Sequence, residues 1–154
     1  KFIKDKYFLM LLPDDLIIKK NCSKSMISVH NKYKCSVMAS MTVNKKTVSR
    51  WGIYKIKKKI DNNNFIIKGV IEKPDLNQAP SNKAVIGRYI LPKNIFKKLL
   101  SLKPGKEGEI HITDAIQSLI NDNEKFIAHN FTGKYLDCGS MNGYINSSVE
   151  ISKI

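Results

Sequence analysis

The stretch Tyr7-Phe8-Leu9-Met10-Leu11-Leu12, closed by Pro13-Asp14-Asp15, decides the fold class. Six apolar residues in a row, without alternation, read as a strand buried on both faces. Such strands belong to parallel sheets, which need neighbouring strands and covering helices. Pro13 ends the run, and two carboxylates follow at once. Open α/β sheets bind ligands just beyond the C-terminal ends of their strands. Asp14 therefore stands where a ligand site is expected. A hard oxygen donor there suits Mg²⁺, which binds through one or two carboxylates plus substrate phosphates. A plain turn with capping aspartates is the competing reading.

Outward from this strand the chain alternates strands and helices. Ser23 is placed to cap a helix through Tyr33, with Met26, Ile27 and His30 along one side. Strands are predicted over 35–43 and 52–59, then a polar turn at 61–64 and a strand over 65–72 stopped by Pro74. A turn-rich loop covers 75–83 and a further strand 84–91. Pro92 is read as opening a helix to Leu100. Residues 103–109 form a Gly/Pro loop. Thr113 is the predicted cap of a helix over 114–121, and 126–131 is a strand. Residues 133–139 read as a tight polar segment, and an amphipathic helix starts at Gly143. No repeat or linker divides the chain, so 1–154 is taken as one α/β domain.

The formal net charge is +14, yet Arg50 and Arg88 are the only arginines among 27 basic residues. Arginine is the usual reader of phosphates and bases. The lysines are spread from end to end among many Ile and Asn, the pattern of solvated faces with a compositional bias, not of a nucleic-acid footprint. Cys22, Cys35 and Cys138 have no CxxC spacing and are read as reduced thiols of a cytoplasmic protein. The three histidines are scattered, which argues against a zinc site. No run of about 18 apolar residues predicts a membrane span, and no signal core is visible at the start.

Two further places could carry chemistry. Asp137 lies between Tyr135-Leu136 and Cys138-Gly139-Ser140, where glycine lets backbone approach a ligand; a capping aspartate is the alternative. Glu72-Lys73-Pro74 ends a strand: the glutamate can accept two sugar hydroxyls and the lysine can hold a phosphate. An exposed ion pair is the alternative.

Taken in order, LPDD (12–15), WGI (51–53), GVIEKP (69–74), APSNKAVIGRYIL (79–91), GEIHITDAI (108–116) and GKYLDCG (133–139) form a pattern. The chain resembles bacterial UTP–glucose-1-phosphate uridylyltransferases, nearly from end to end. The resemblance implies a Rossmann-like mixed sheet with helices on both faces, a nucleotidyltransferase fold lacking its N-terminal portion. It implies Mg²⁺-dependent joining of UTP and glucose 1-phosphate to give UDP-glucose and pyrophosphate. Asp14 and Asp137 would hold the metal, Gly52 and Glu72 would contact glucose hydroxyls, and Lys73 would hold the phosphate. Gly87 would keep backbone close to the sugar, while Glu109 and Asp114 would be structural. The last helix would serve subunit contacts in a homo-oligomer. No nucleic-acid or membrane partner is expected. The family's glycine-rich phosphate loop is missing, and Trp51 stands where Tyr is commoner. The chain is therefore expected to be inactive alone, with the strand over 7–12 unpaired on one side. A thymidylyl-type relative, a basic nucleic-acid-binding module and a non-catalytic sugar-phosphate-binding remnant are the competing readings.

Overall fold

The computed structural model describes residues 2–104 and 108–154. Its elements are β1 (Tyr7–Leu11), β2 (Asp15–Ile18), α1 (Cys22–Tyr33), β3 (Ser36–Thr42), a 3-10 turn (Lys45–Arg50), β4 (Ile53–Lys59), β5 (Asn64–Ile71), β6 (Lys83–Pro92), α2 (Ile95–Ser101), α3 (Ile112–Asn121), β7 (Phe126–Asn130), β8 (Lys134–Asp137) and α4 (Met141–Ile151). Six strands form a mixed sheet in the order β1-β6-β3-β7-β5-β4, and β2 and β8 form a separate antiparallel pair. Within the large sheet β3 and β7 run parallel, and the other pairs are antiparallel.

Alternation along the central strands divides the core in two. Val37, Ala39, Ile86, Ile90 and Ile127 point to one face, where they meet Cys22, Met26 and Val29 of α1. Met38, Tyr89, Leu91, Phe126 and Ala128 point to the other, against Ile95 of α2 and Ala115, Ile116 and Leu119 of α3. Side chains that alternate every second residue bury both faces of one sheet only if helices cover both. The mixed sheet with helices on both faces is thus present.

Several local expectations need correction. The run over 7–12 is not a doubly buried parallel strand. β1 is an antiparallel edge strand paired with β6 alone, and Leu9 and Leu11 are exposed by 37% and 50%. Among the described residues its outer edge has no partner. The helix over 22–33 is capped by Asn21, whose side chain accepts from the Lys24 N–H at 2.9 Å, not by Ser23. Pro92 does not open a helix. It is the last residue of β6, opposite Tyr7, where a missing N–H costs no ladder bond because Lys93 supplies the next one to Lys6. Thr113 lies inside the first turn of α3; His111 holds the cap position and makes no side-chain capping bond. The segment over 133–139 contains β8, and β2 had no counterpart in the predicted elements. The 103–109 loop lies partly outside the described residues.

The two rims of the sheet differ. β4 carries Lys55, Lys57, Lys58 and Lys59, whereas β1 reads YFLML. None of the described lysines is buried, and they are dispersed over the surface.

Candidate active site

The site is built where the small ribbon meets the large sheet. β2 and β8 pair with Asp15 opposite Asp137, and the Cys138 N–H donates to the Asp14 carbonyl at 2.8 Å. This ladder brings together Asp14 and Asp137, far apart in sequence. Both carboxylates flank Gly139: a Cβ built there would lie 2.9 Å from Asp14 Oδ2 and 3.3 Å from Asp137 Oδ1. The Gly139 N–H donates to Asp137 Oδ1 at 2.9 Å, which fixes that carboxylate. Neither aspartate has an ion-pair partner among the described residues. Paired hard oxygen donors without a cation of their own suit a small divalent ion. No third His, Cys, Asp or Glu completes a cluster among the described residues, so further ligands to such an ion would come from water or substrate.

The backbone that carries Asp14 is held by its neighbours. The β3–β6 register shifts between Met38 and Ala39, which are opposite Tyr89 and Ile86. Gly87 and Arg88 are thereby freed from the β3 ladder, as in a bulge. The Gly87 N–H donates to Asp15 Oδ2 at 2.5 Å, and its carbonyl accepts from the Leu12 N–H at 2.8 Å. Arg88 donates to the carbonyls of Leu12, Gly87 and Asp15. Tyr135 closes the strap, its hydroxyl donating to Asp15 Oδ1. Burial and this bond to the Asp15 carboxylate hold the Tyr135 phenol protonated, well above its ordinary range. Asp15, Arg88 and Tyr135 were not singled out from the sequence. The doubled aspartate and the GRY tripeptide were the available signals.

A cleft of about 380 Å³ opens beside this strap, lined by Asp14, Gly52, Glu72, Gly87, Tyr89 and Thr113 among others. Glu72 hangs over Gly52: a Cβ on that glycine would meet Glu72 Oε2 at 2.9 Å. At Gly87 the corresponding space is taken by Asp15 Oδ2 and by the Leu12 side chain, the latter 2.6 Å from a built Cβ. The glycine is demanded there by the packed loop. Asp137 lines a second cleft of about 290 Å³ with Tyr135, Asn146 and Glu150. Arg50 and Trp51 belong to both clefts, and the Trp51 ring meets Tyr135 edge-on with centroids 5.7 Å apart. Four of the six expected site residues, Asp14, Gly52, Glu72 and Gly87, thus share one cleft, and Asp137 joins through Gly139. Lys73 lines neither cleft. Its backbone is left-handed (φ 42°), and its N–H donates to the Trp51 carbonyl at 3.0 Å. Asp114 is an exposed residue of the first turn of α3, favourable to the helix dipole, and Glu109 is exposed in the preceding loop. A further opening, of about 620 Å³, lies beside the start of α1 with Lys19, Lys20 and Arg88. It holds no carboxylate, and its Arg88 is already engaged with backbone carbonyls.

The sequence and the fold have counterparts among known proteins. A uridylyltransferase from Pseudomonas aeruginosa, named UTP–glucose-1-phosphate uridylyltransferase, is 37% identical over 149 residues, covering 95% of this chain and 53% of its own. A crystal structure of apo UDP-glucose pyrophosphorylase superposes with a TM-score of 0.91 at 40% identity, over 97% of this chain and 55% of that one. One described as UDP-glucose pyrophosphorylase complexed with UDP-glucose gives 0.89 at 41% identity, over 98% and 58%. The chain therefore spans about half the length of the proteins it matches. The nucleotidyl transferase family model matches residues 1–154, and the chain belongs to that family.

Proposed function

We propose that this chain is the sugar-phosphate- and metal-binding part of a UTP–glucose-1-phosphate uridylyltransferase. The observation that carries the reading is the meeting of Asp14 and Asp137 beside a cleft where Glu72 overhangs Gly52. In the reaction a phosphate oxygen of glucose 1-phosphate attacks the α-phosphorus of UTP in line, and pyrophosphate leaves. Positioning and neutralisation of charge carry such a transfer, with no protein nucleophile. Glu72 accepts from the sugar hydroxyls, Gly52 keeps the cleft floor low beneath it, Gly87 keeps backbone close to the sugar, and Lys73, next to Glu72 in the chain, takes the phosphate. Asp14 and Asp137 would hold Mg²⁺, which when bound supplies countercharge for the phosphates. UTP binding needs a phosphate cradle of backbone N–H groups. The eight glycines of this sequence are dispersed and form none. We therefore expect no UDP-glucose formation by residues 1–154 alone. Among the described residues no helix is long and apolar enough to cross a membrane; a cytoplasmic setting is part of the same proposal.

Calorimetric titration with glucose 1-phosphate tests this assignment. Glu72→Gln keeps the size of the side chain and removes its charge. It should weaken glucose 1-phosphate by about tenfold, the worth of one charge-assisted hydrogen bond. Unchanged affinity in that variant would remove Glu72 from the sugar site and with it the main support for the proposal.

A further inference from the structure

The chain has 27 Lys and Arg residues, yet among the described residues Arg50 is the only Lys or Arg lining either cleft. It lines both. Around it stand Asp14, Asp15 and Glu72 in one cleft and Asp137 and Glu150 in the other. Glu150 is already paired with Lys134 and Lys153, and Asp15 is taken up by Gly87 and Tyr135. The Arg50 side chain makes no ion pair among the described residues. The only other arginine, Arg88, donates to three backbone carbonyls and has no such freedom.

The position of Arg50 is fixed by the fold. It ends the 3-10 turn that Val48 anchors in the core at 2% exposure, and the next N–H, that of Trp51, donates to the Val48 carbonyl at 3.1 Å. Trp51 then packs on Tyr135, and Gly52 lies under Glu72. The turn thus places Arg50, an exposed side chain, at the junction of the sugar cleft and the aspartate pair. A phosphate entering there faces carboxylates on both sides. A planar fork of N–H donors on an always-charged group is the side chain that binds such an anion in two directions at once.

We infer that Arg50 is a phosphate-binding residue: it grips the phosphate of the sugar phosphate where the two clefts join and so distinguishes the phosphorylated sugar from the free one. This rests on the sugar-phosphate reading given above. It adds a residue from outside the motifs that carried the family resemblance.

The 154-residue chain can be tested directly. Wild type, Arg50→Gln and Arg50→Lys are each titrated by calorimetry with glucose 1-phosphate and with glucose. Trp51, the single tryptophan, gives a parallel fluorescence signal from the same junction. Near-ultraviolet circular dichroism establishes that each variant is folded. Arg50→Gln should raise the Kd for glucose 1-phosphate by about tenfold or more and leave that for glucose unchanged. Arg50→Lys should recover part of the loss. Added salt should weaken glucose 1-phosphate in wild type more than in Arg50→Gln. The inference is overturned if Arg50→Gln binds glucose 1-phosphate as wild type does, or if it loses both ligands equally. If wild type itself takes up neither ligand, the sugar-phosphate reading falls, and this inference with it.

Discussion

At the scale of single residues, close approach and burial set the tolerances. Gly87 has no room for a methyl group, because Asp15 and Leu12 occupy the place of its Cβ. Gly87→Ala should therefore cost about 1–3 kcal/mol, the usual range for overpacking, seen as a lowered thermal midpoint. A midpoint equal to wild type would mean that the Leu12–Asp15 loop moves freely aside. His129 gives a pH effect of definite sign. It is buried between Asn64 Oδ1, 2.9 Å from Nδ1, and Ser25 Oγ, 3.0 Å from Nε2. The Asn64 amide is in turn held by Asp61. Burial lowers the imidazole pKa below its ordinary 6.5, against a smaller opposing pull from Asp61. The unfolded chain then binds the proton more readily than the folded one. The stability contributed by neutral His129 is complete above pH 6.5 and is lost as pH falls through the depressed folded value. Chemical denaturation between pH 8 and 5, compared with His129→Gln, should show a shallower acid decline in the variant; parallel curves would assign the acid sensitivity elsewhere.

Among the elements, β6 has the most to do at the site. Its bulge frees Gly87 and Arg88, and Arg88 ties the loop that carries Asp14 through the carbonyls of Leu12 and Asp15. Lysine cannot span them with a fork. Arg88→Lys should leave the core intact but speed hydrogen exchange of the amides at residues 12–15. Protection equal to wild type in that segment would show that the ladder alone holds it. The same strand shows what the sequence could and could not tell. The alternation of Ala84, Ile86 and the residues beyond it made β6 legible, as the apolar faces of β3, β5 and β7 did. The family pattern pointed to Asp14, Asp137, Gly52 and Glu72, which the fold gathers around neighbouring clefts. The β2–β8 ribbon was missed because its four-residue strands, DLII and KYLD, are too short for a period to be read. β1 was expected to be unpaired on one side, as it is among the described residues, but an apolar run carries no mark of the direction of its partner, and β6 runs antiparallel to it. Arg50 was noticed only as one of two arginines, since nothing local shows that a turn on Val48 sets it between two clefts.

For the whole molecule, charge and exposed apolar surface pull in opposite directions. Met141, Tyr144, Ile145 and Val149 are at least half exposed and recur at helical spacing along α4, a helix without a basic residue on a chain of net charge +14. An apolar stripe free of like charge is where copies of a basic protein can meet. We propose the homo-oligomer contact there. Ile145→Glu should convert an oligomer to a monomer in light scattering; an unchanged mass would place the contact elsewhere. The rims of the sheet bear on a different kind of assembly. β4 sets its lysines along one rim, while β1 leaves its outer backbone groups without a strand partner among the described residues. In polymer terms the sheet is a unit with a single reactive end. Two such ends can join back to back, but the product has only lysine-guarded rims left. Growth by strand addition is thereby chain-terminated at the pair, and a solution of this protein should yield discrete particles where a sheet open on both sides would give fibres.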